Sequence, residues 1–142
     1  MKPKLIVMSH GLMAQETLKS AQMIVGEIDG AVAISMLEAD GLEVTTDKLR
    51  VALEKIGTED VVILVDLLGG TPSNVAVKAF FEQKNIEVVT GLNLSLVIEY
   101  AVSPLTSALE MAEYLATVGK DSIQKVERLS NDFDEEDEYE ED

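Results

Sequence analysis

At 142 residues, 46% of them hydrophobic, the chain is the length of one domain and can bury one sizeable core. It has no cysteine, which excludes disulfides and thiolate metal sites and fits a reducing compartment; it has no apolar run near the ~20 residues of a membrane span, and no secretory signal is expected behind its first lysines. A formal net charge of −16 works against nucleic acid and anionic lipid as partners, because both are held by lysine and arginine on phosphate.

The first element is the apolar run Leu5-Ile-Val-Met8, which reads as a buried strand and ends in Ser9-His10-Gly11, so that the sole histidine stands at a glycine turn. Residues 11–25 keep a helical period, with Leu18, Ala21, Ile24 and Val25 on one face and Gly26 as the C-terminal cap. A turn at Ile28-Asp-Gly30 leads to a short strand over 31–36 and the polar loop Glu38-Ala-Asp-Gly41. Residues 46–56 carry Leu49, Val51, Ala52, Leu53 and Ile56 at helical spacing, and Gly57 stops them. The run Val61-Val-Ile-Leu-Val65 is rich in β-branched residues and has no polar interruption, as a central strand covered on both faces requires.

That run delivers Asp66 to Leu67-Leu-Gly-Gly-Thr-Pro72, where Thr71 reads as the cap and Pro72 as the first position of a helix bearing Val75, Ala76, Ala79 and Phe80. A fourth strand over 86–90 ends at Gly91-Leu-Asn93, and a helix over 94–102 breaks near Pro104. The last helix, over 106–118, places Leu109, Ala112, Glu113 and Ala116 on successive turns, with Gly119 after it. In 122–129 the apolar residues Ile123, Val126 and Leu129 recur every third position and fit neither helix nor strand. The domain is therefore drawn over 1–130, and the acidic stretch 131–142 is expected to stay disordered, with too little apolar surface to offset the entropy of ordering it. Strands alternating with helices predict an α/β fold: an open, mostly parallel, doubly wound sheet with helices on both faces and right-handed crossovers.

In such a sheet all the strand-to-helix turns share one edge, where ligands bind. A lone histidine is more often a surface or core residue than a catalyst. His10, however, directly follows a buried strand, precedes a glycine, and has a possible carboxylate partner in Asp66 at the end of another strand. If Asp66 accepts the imidazole Nδ1–H, the Nε2 lone pair is left free to attack, and His10 becomes a candidate nucleophile for a phosphoryl group. Gly69 and Gly70 would let backbone N–H groups approach the phosphoryl oxygens at a helix N-terminus, and Thr71 adds a hydroxyl. Taken alone, the same loop reads more readily as a plain tight turn, since a Gly-Gly pair is a weak signal.

Other chemistries are worse served. Zinc needs several His or Cys ligands, and the chain has one His and no Cys, so no metal site is assigned and no cofactor is called for. The Gly-x-Ser-x-Gly elbow of serine hydrolases and the Walker phosphate loop are both missing. An aspartyl-phosphate receiver domain would want acids at the end of the first strand, which instead ends in Met8-Ser-His10.

With both loops in view, the chain resembles the IIA component of the mannose/fructose/sorbose-type sugar phosphotransferase system. The resemblance spans residues 4–129 and is carried by Ile6-Val-Met-Ser-His-Gly11 with Ala14 and Leu18, by Val65-Asp-Leu-Leu-Gly-Gly-Thr-Pro-Ser-Asn74 with Ala76, and by Gly91-Leu-Asn93. It implies a cytoplasmic homodimer that takes a phosphoryl group from HPr onto His10 and passes it to a mannose-type IIB protein, in indirect association with the membrane IIC and IID subunits. It also implies that Asp66 orients His10 and that Thr71, where serine is usual, contacts phosphate. Family members exchange a C-terminal strand across the dimer, which would account for the irregular 122–129. Where some relatives continue through a linker into IIB, this chain ends in acids, so a standalone IIA is expected.

The phosphotransfer subunit of a dihydroxyacetone kinase, which shares this fold and histidine, is the nearest alternative. A non-catalytic module regulated by phosphorylation is another. For a carrier that meets two proteins in turn, the apolar residues Leu12, Met13, Leu67 and Leu68 around His10 are candidates for the docking surface.

Overall fold

A computed structural model describes residues 1–129 of the chain. Four strands, β1 (Lys4–His10), β2 (Val32–Met36), β3 (Val61–Val65) and β4 (Ile86–Thr90), form one all-parallel sheet in the order β2-β1-β3-β4. Five helices complete the fold: α1 (Met13–Val25), α2 (Leu42–Ile56), α3 (Thr71–Glu82), α4 (Leu94–Val102) and α5 (Ala108–Asp121). The sheet is parallel because every strand is followed by a helix that carries the chain back across one face.

Alternate side chains of a strand point to opposite faces, and this period splits the core in two. Leu5, Val7, Val62 and Leu64 meet Leu18 of α1, Leu96 of α4, and Met111 and Leu115 of α5. Ile6, Met8, Ile63 and Val65 meet Leu49 and Ala52 of α2 and Val75, Ala76 and Ala79 of α3 on the other side. β1 and β3 are therefore sandwiched, and all five residues of β3 are buried, as its unbroken apolar run predicts.

Register sets up the site. Met8 lies opposite Val65 and His10 opposite Met36, so β1 overruns β3 by two residues at their C-terminal ends. Asp66, the next residue after β3, donates its N–H to Met8 O at 3.1 Å and is thereby drawn alongside the end of β1.

Several sequence expectations need correction. α2 begins at Leu42, four residues earlier than its apolar period, because Leu42 and Val44 turn outward and leave no signal in the first turn. The Thr45 and Thr46 hydroxyls bond back to the carbonyls of Gly41 and Leu42, which accommodates two poor helix formers there. α1 buries Ala14, Leu18 and Ala21, while Ile24 is exposed. α3 takes Gly70 as its N-cap, in extended conformation, and Thr71 lies inside the first turn instead of capping. α5 runs on to Asp121 and packs through Ala108, Met111, Ala112, Leu115 and Gly119, whereas Leu109 is exposed. Residues 122–129 form neither helix nor strand in the single chain, where a strand exchanged with a second copy would have nothing to pair with, and the stretch 131–142 lies outside the described residues.

Candidate functional site

β1 carries His10 to the C-terminal edge of the sheet, and the turn that follows is fixed from two sides. The Gly11 N–H donates to Met36 O at 2.8 Å, and Gly11 adopts φ 57°, a left-handed conformation suited to glycine. Ser9 is buried, and its Oγ accepts the Ala14 N–H at 2.7 Å and donates to Gly11 O at 3.3 Å. It thus caps α1 from five residues upstream, where Leu12, the N-cap residue itself, has no side-chain acceptor. This role was not read from the sequence. The signal available was a small polar residue between a buried strand and a helix.

Asp66 lies beside His10 as expected. Its Oδ2 accepts both the His10 backbone N–H and the imidazole Nδ1–H, each at 2.8 Å, and its Oδ1 accepts the Leu67 N–H at 2.9 Å. The carboxylate side chain is 7% exposed and the imidazole 44%, so the acid is walled in while the ring faces solvent. Burial pushes the Asp66 carboxyl up, but the hydrogen bonds from the His10 backbone, the imidazole and Leu67 together outweigh it and hold the group below its ordinary 3.8. An ionised carboxylate only accepts hydrogen bonds, so Nδ1 carries a proton, and in a neutral ring this leaves the lone pair on Nε2.

The loop after β3 closes over the same ring. Gly69 adopts φ 99°, which favours glycine, and Gly70 backs onto the imidazole so closely that a Cβ there would lie 2.6 Å from His10 Cε1 and 3.1 Å from Nε2. Thr71 follows at the first turn of α3, whose N-terminus has no side-chain cap among the described residues and keeps its partial positive charge at the loop. The four apolar residues expected at a docking surface, Leu12, Met13, Leu67 and Leu68, are all exposed, Leu68 at 72%. Leu37, just beyond the end of β2, is exposed as well and was not singled out from the sequence. With Leu12, Val44 and Val51 it lines an open groove of about 670 Å³ that runs along the edge strand β2 and α2. Asp40, in the polar loop after β2, is committed elsewhere: it accepts the Leu37 N–H at 2.9 Å and the Lys48 ammonium at 2.7 Å.

The site brings together an imidazole, the carboxylate that accepts its Nδ1–H and the N-terminus of a helix. Among the described residues no group of three or more His, Asp or Glu side chains is placed to hold a metal, and no helix is long and apolar enough to cross a membrane.

Comparison with known proteins points the same way. Residues 4–118 match the family model described as the PTS system fructose IIA component. A solved structure of a mannose/sorbose specific IIA subunit from Enterococcus faecalis superposes with a TM-score of 0.88 at 47% identity, covering 92% of this chain and 98% of that one. The fructose-specific EIIA component of Bacillus subtilis is 29% identical over 126 residues, which is 88% of this chain and 80% of that protein. The mannose-specific EIIAB component of Escherichia coli K12 is 30% identical over 96 residues, 67% of this chain, and the match spans only 30% of that longer protein.

Proposed function

Because the chain belongs to the mannose/fructose/sorbose-type IIA family of the sugar phosphotransferase system, we propose that it carries a phosphoryl group on His10 Nε2, taken from phospho-HPr and passed to a mannose-type IIB protein. The observation that carries this reading is the 2.8 Å contact between Nδ1 and the Asp66 carboxylate on a side chain that is 44% exposed. As the Nε2–P bond forms and the bond from phosphorus to the donor breaks, positive charge develops on the imidazole. Asp66, ionised and within hydrogen-bond distance, stabilises that charge and keeps the proton on Nδ1. In the return step the Nε2–P bond breaks toward the acceptor and the lone pair is restored.

The phosphoryl oxygens are received by the backbone of Gly69 and Gly70, the Thr71 hydroxyl and the N-terminus of α3. Donors fixed in place before the reaction cost no reorganisation in the transition state. Leu12, Met13, Leu67 and Leu68 form the apolar surface on which donor and acceptor dock in turn, each after the other has left. The protein works as a homodimer in the cytoplasm, next to the membrane IIC and IID subunits but without touching the sugar.

The experiment is intact mass after incubation with phosphoenolpyruvate, enzyme I and HPr. Wild type gains one phosphoryl group and His10→Ala gains none. Labelling of His10→Ala, or no labelling of folded wild type by active donors, contradicts the proposal.

A further inference from the structure

We propose that Gly70 is a positioning residue for His10: its missing side chain is the space that lets the imidazole lie with Nδ1 against Asp66 and Nε2 toward the N-terminus of α3. Two glycines stand in this loop for different reasons. Gly69 has φ 99°, a conformation that strains other residues, and a Cβ there would meet nothing within 4 Å. Gly70 has φ −88° and ψ 175°, extended backbone that any residue adopts, so no conformational demand explains a glycine at this position. Its demand is steric: a Cβ would fall 2.6 Å from Cε1 and 3.1 Å from Nε2 of the ring.

Cε1 lies between the two ring nitrogens. A side chain pushing on it cannot be relieved without swinging the whole imidazole about its bond to Cβ. The ring is 44% exposed and free to swing toward solvent, so relief costs the fold little. It costs the 2.8 Å bond from Nδ1 to Asp66 Oδ2, which depends on the ring's orientation. Asp66 therefore holds one edge of the imidazole and the Gly70 backbone backs the other, and the two contacts together define the attacking direction of Nε2. This inference rests on the reading of His10 as the phosphoryl acceptor for its consequence in catalysis, but its structural content can be tested without any donor.

His10 is the only histidine, so the nitrogen-15 spectrum of labelled imidazole contains one ring. In unphosphorylated wild type the spectrum should show a single tautomer with the proton on Nδ1. In Gly70→Ala the share of that tautomer should fall, and the rate of phosphoryl acceptance from phospho-HPr should drop roughly 10²-fold, the scale of a misplacement of about 1 Å at a reacting group. Gly41→Ala is the control: its φ is −110° and a Cβ there meets nothing within 4 Å, so tautomer and rate should match wild type.

If Gly70→Ala is too unstable for spectroscopy, the same substitution in a His10→Ala background should melt like His10→Ala alone, since the atoms it strikes are gone. A wild-type tautomer and rate in Gly70→Ala, or an equal loss of melting temperature in both backgrounds, overturns the proposal. A tautomer shift in Gly70→Ala, together with a wild type that never accepts a phosphoryl group, would support the positioning role and sink the carrier reading instead.

Discussion

On the proposed function, the hydrogen bond between Nδ1 of His10 and Asp66 makes the imidazole a one-sided nucleophile, and replacing its acceptor is the sharpest change at the scale of a single residue. In Asp66→Asn the amide can donate to Nδ1, which favours the tautomer with Nε2 protonated and no lone pair to attack. The initial rate of phosphoryl acceptance should fall roughly 10²- to 10⁴-fold with little change in fold. The same carboxylate gives the protein an acid-labile increment of stability. Its pKa in the fold is below 3.8, against about 3.9 in an unfolded chain, so the unfolded state takes up the proton more readily. The increment is present above about pH 4 and lost as pH falls through the folded value, and melting curves between about pH 6 and pH 2 should show wild type losing more than Asp66→Asn. His10 and Asp66 were legible in the sequence because each ends an apolar run. The closeness of Gly70 to the ring was not, since it depends on how two separate loops meet, and Thr71 was misread as a cap because the backbone turns extended one residue earlier, at Gly70.

Among the elements, β3 does most to organise the site, since it anchors both cores and ends in the loop that meets His10. Leu64, within it, is fully buried, and Leu68, four residues on, is largely exposed. Leu64→Ala should cost about 2–5 kcal/mol of stability by leaving a cavity, read as a lower denaturant midpoint. Leu68→Ala should change stability by no more than about 0.5 kcal/mol and should instead raise the KM for phospho-HPr, if the exposed leucine is part of the docking surface. The central strands β1 and β3 were readable because burial on both faces requires a continuous apolar run. The helix faces were read less well, since α1 and α5 carry apolar residues such as Ile24 and Leu109 outside their packed stripes, and periodicity alone does not tell a buried leucine from an exposed one. The first turn of α2 was missed for the converse reason, its apolar side chains facing outward.

At the scale of the whole molecule, alternation of strands and helices was enough to give the parallel sheet and to bring the turns after β1 and β3 to one edge. The strand that the family resemblance implies over 122–129 would need a second copy to pair with, and in the single chain Ile123 and Val126 lie exposed. A homodimer predicts twice the 15.4 kDa chain mass by light scattering, and a single-chain mass at all concentrations would contradict it. On the proposed function the whole molecule holds a phosphoryl group between two encounters, and it does so on one atom. Phosphorylated, nitrogen-15-labelled protein prepared from phosphoenolpyruvate, enzyme I and HPr should show phosphorus coupled to Nε2 of His10, with Nδ1 still protonated. Phosphorus on Nδ1, or on any residue other than His10, would contradict the account.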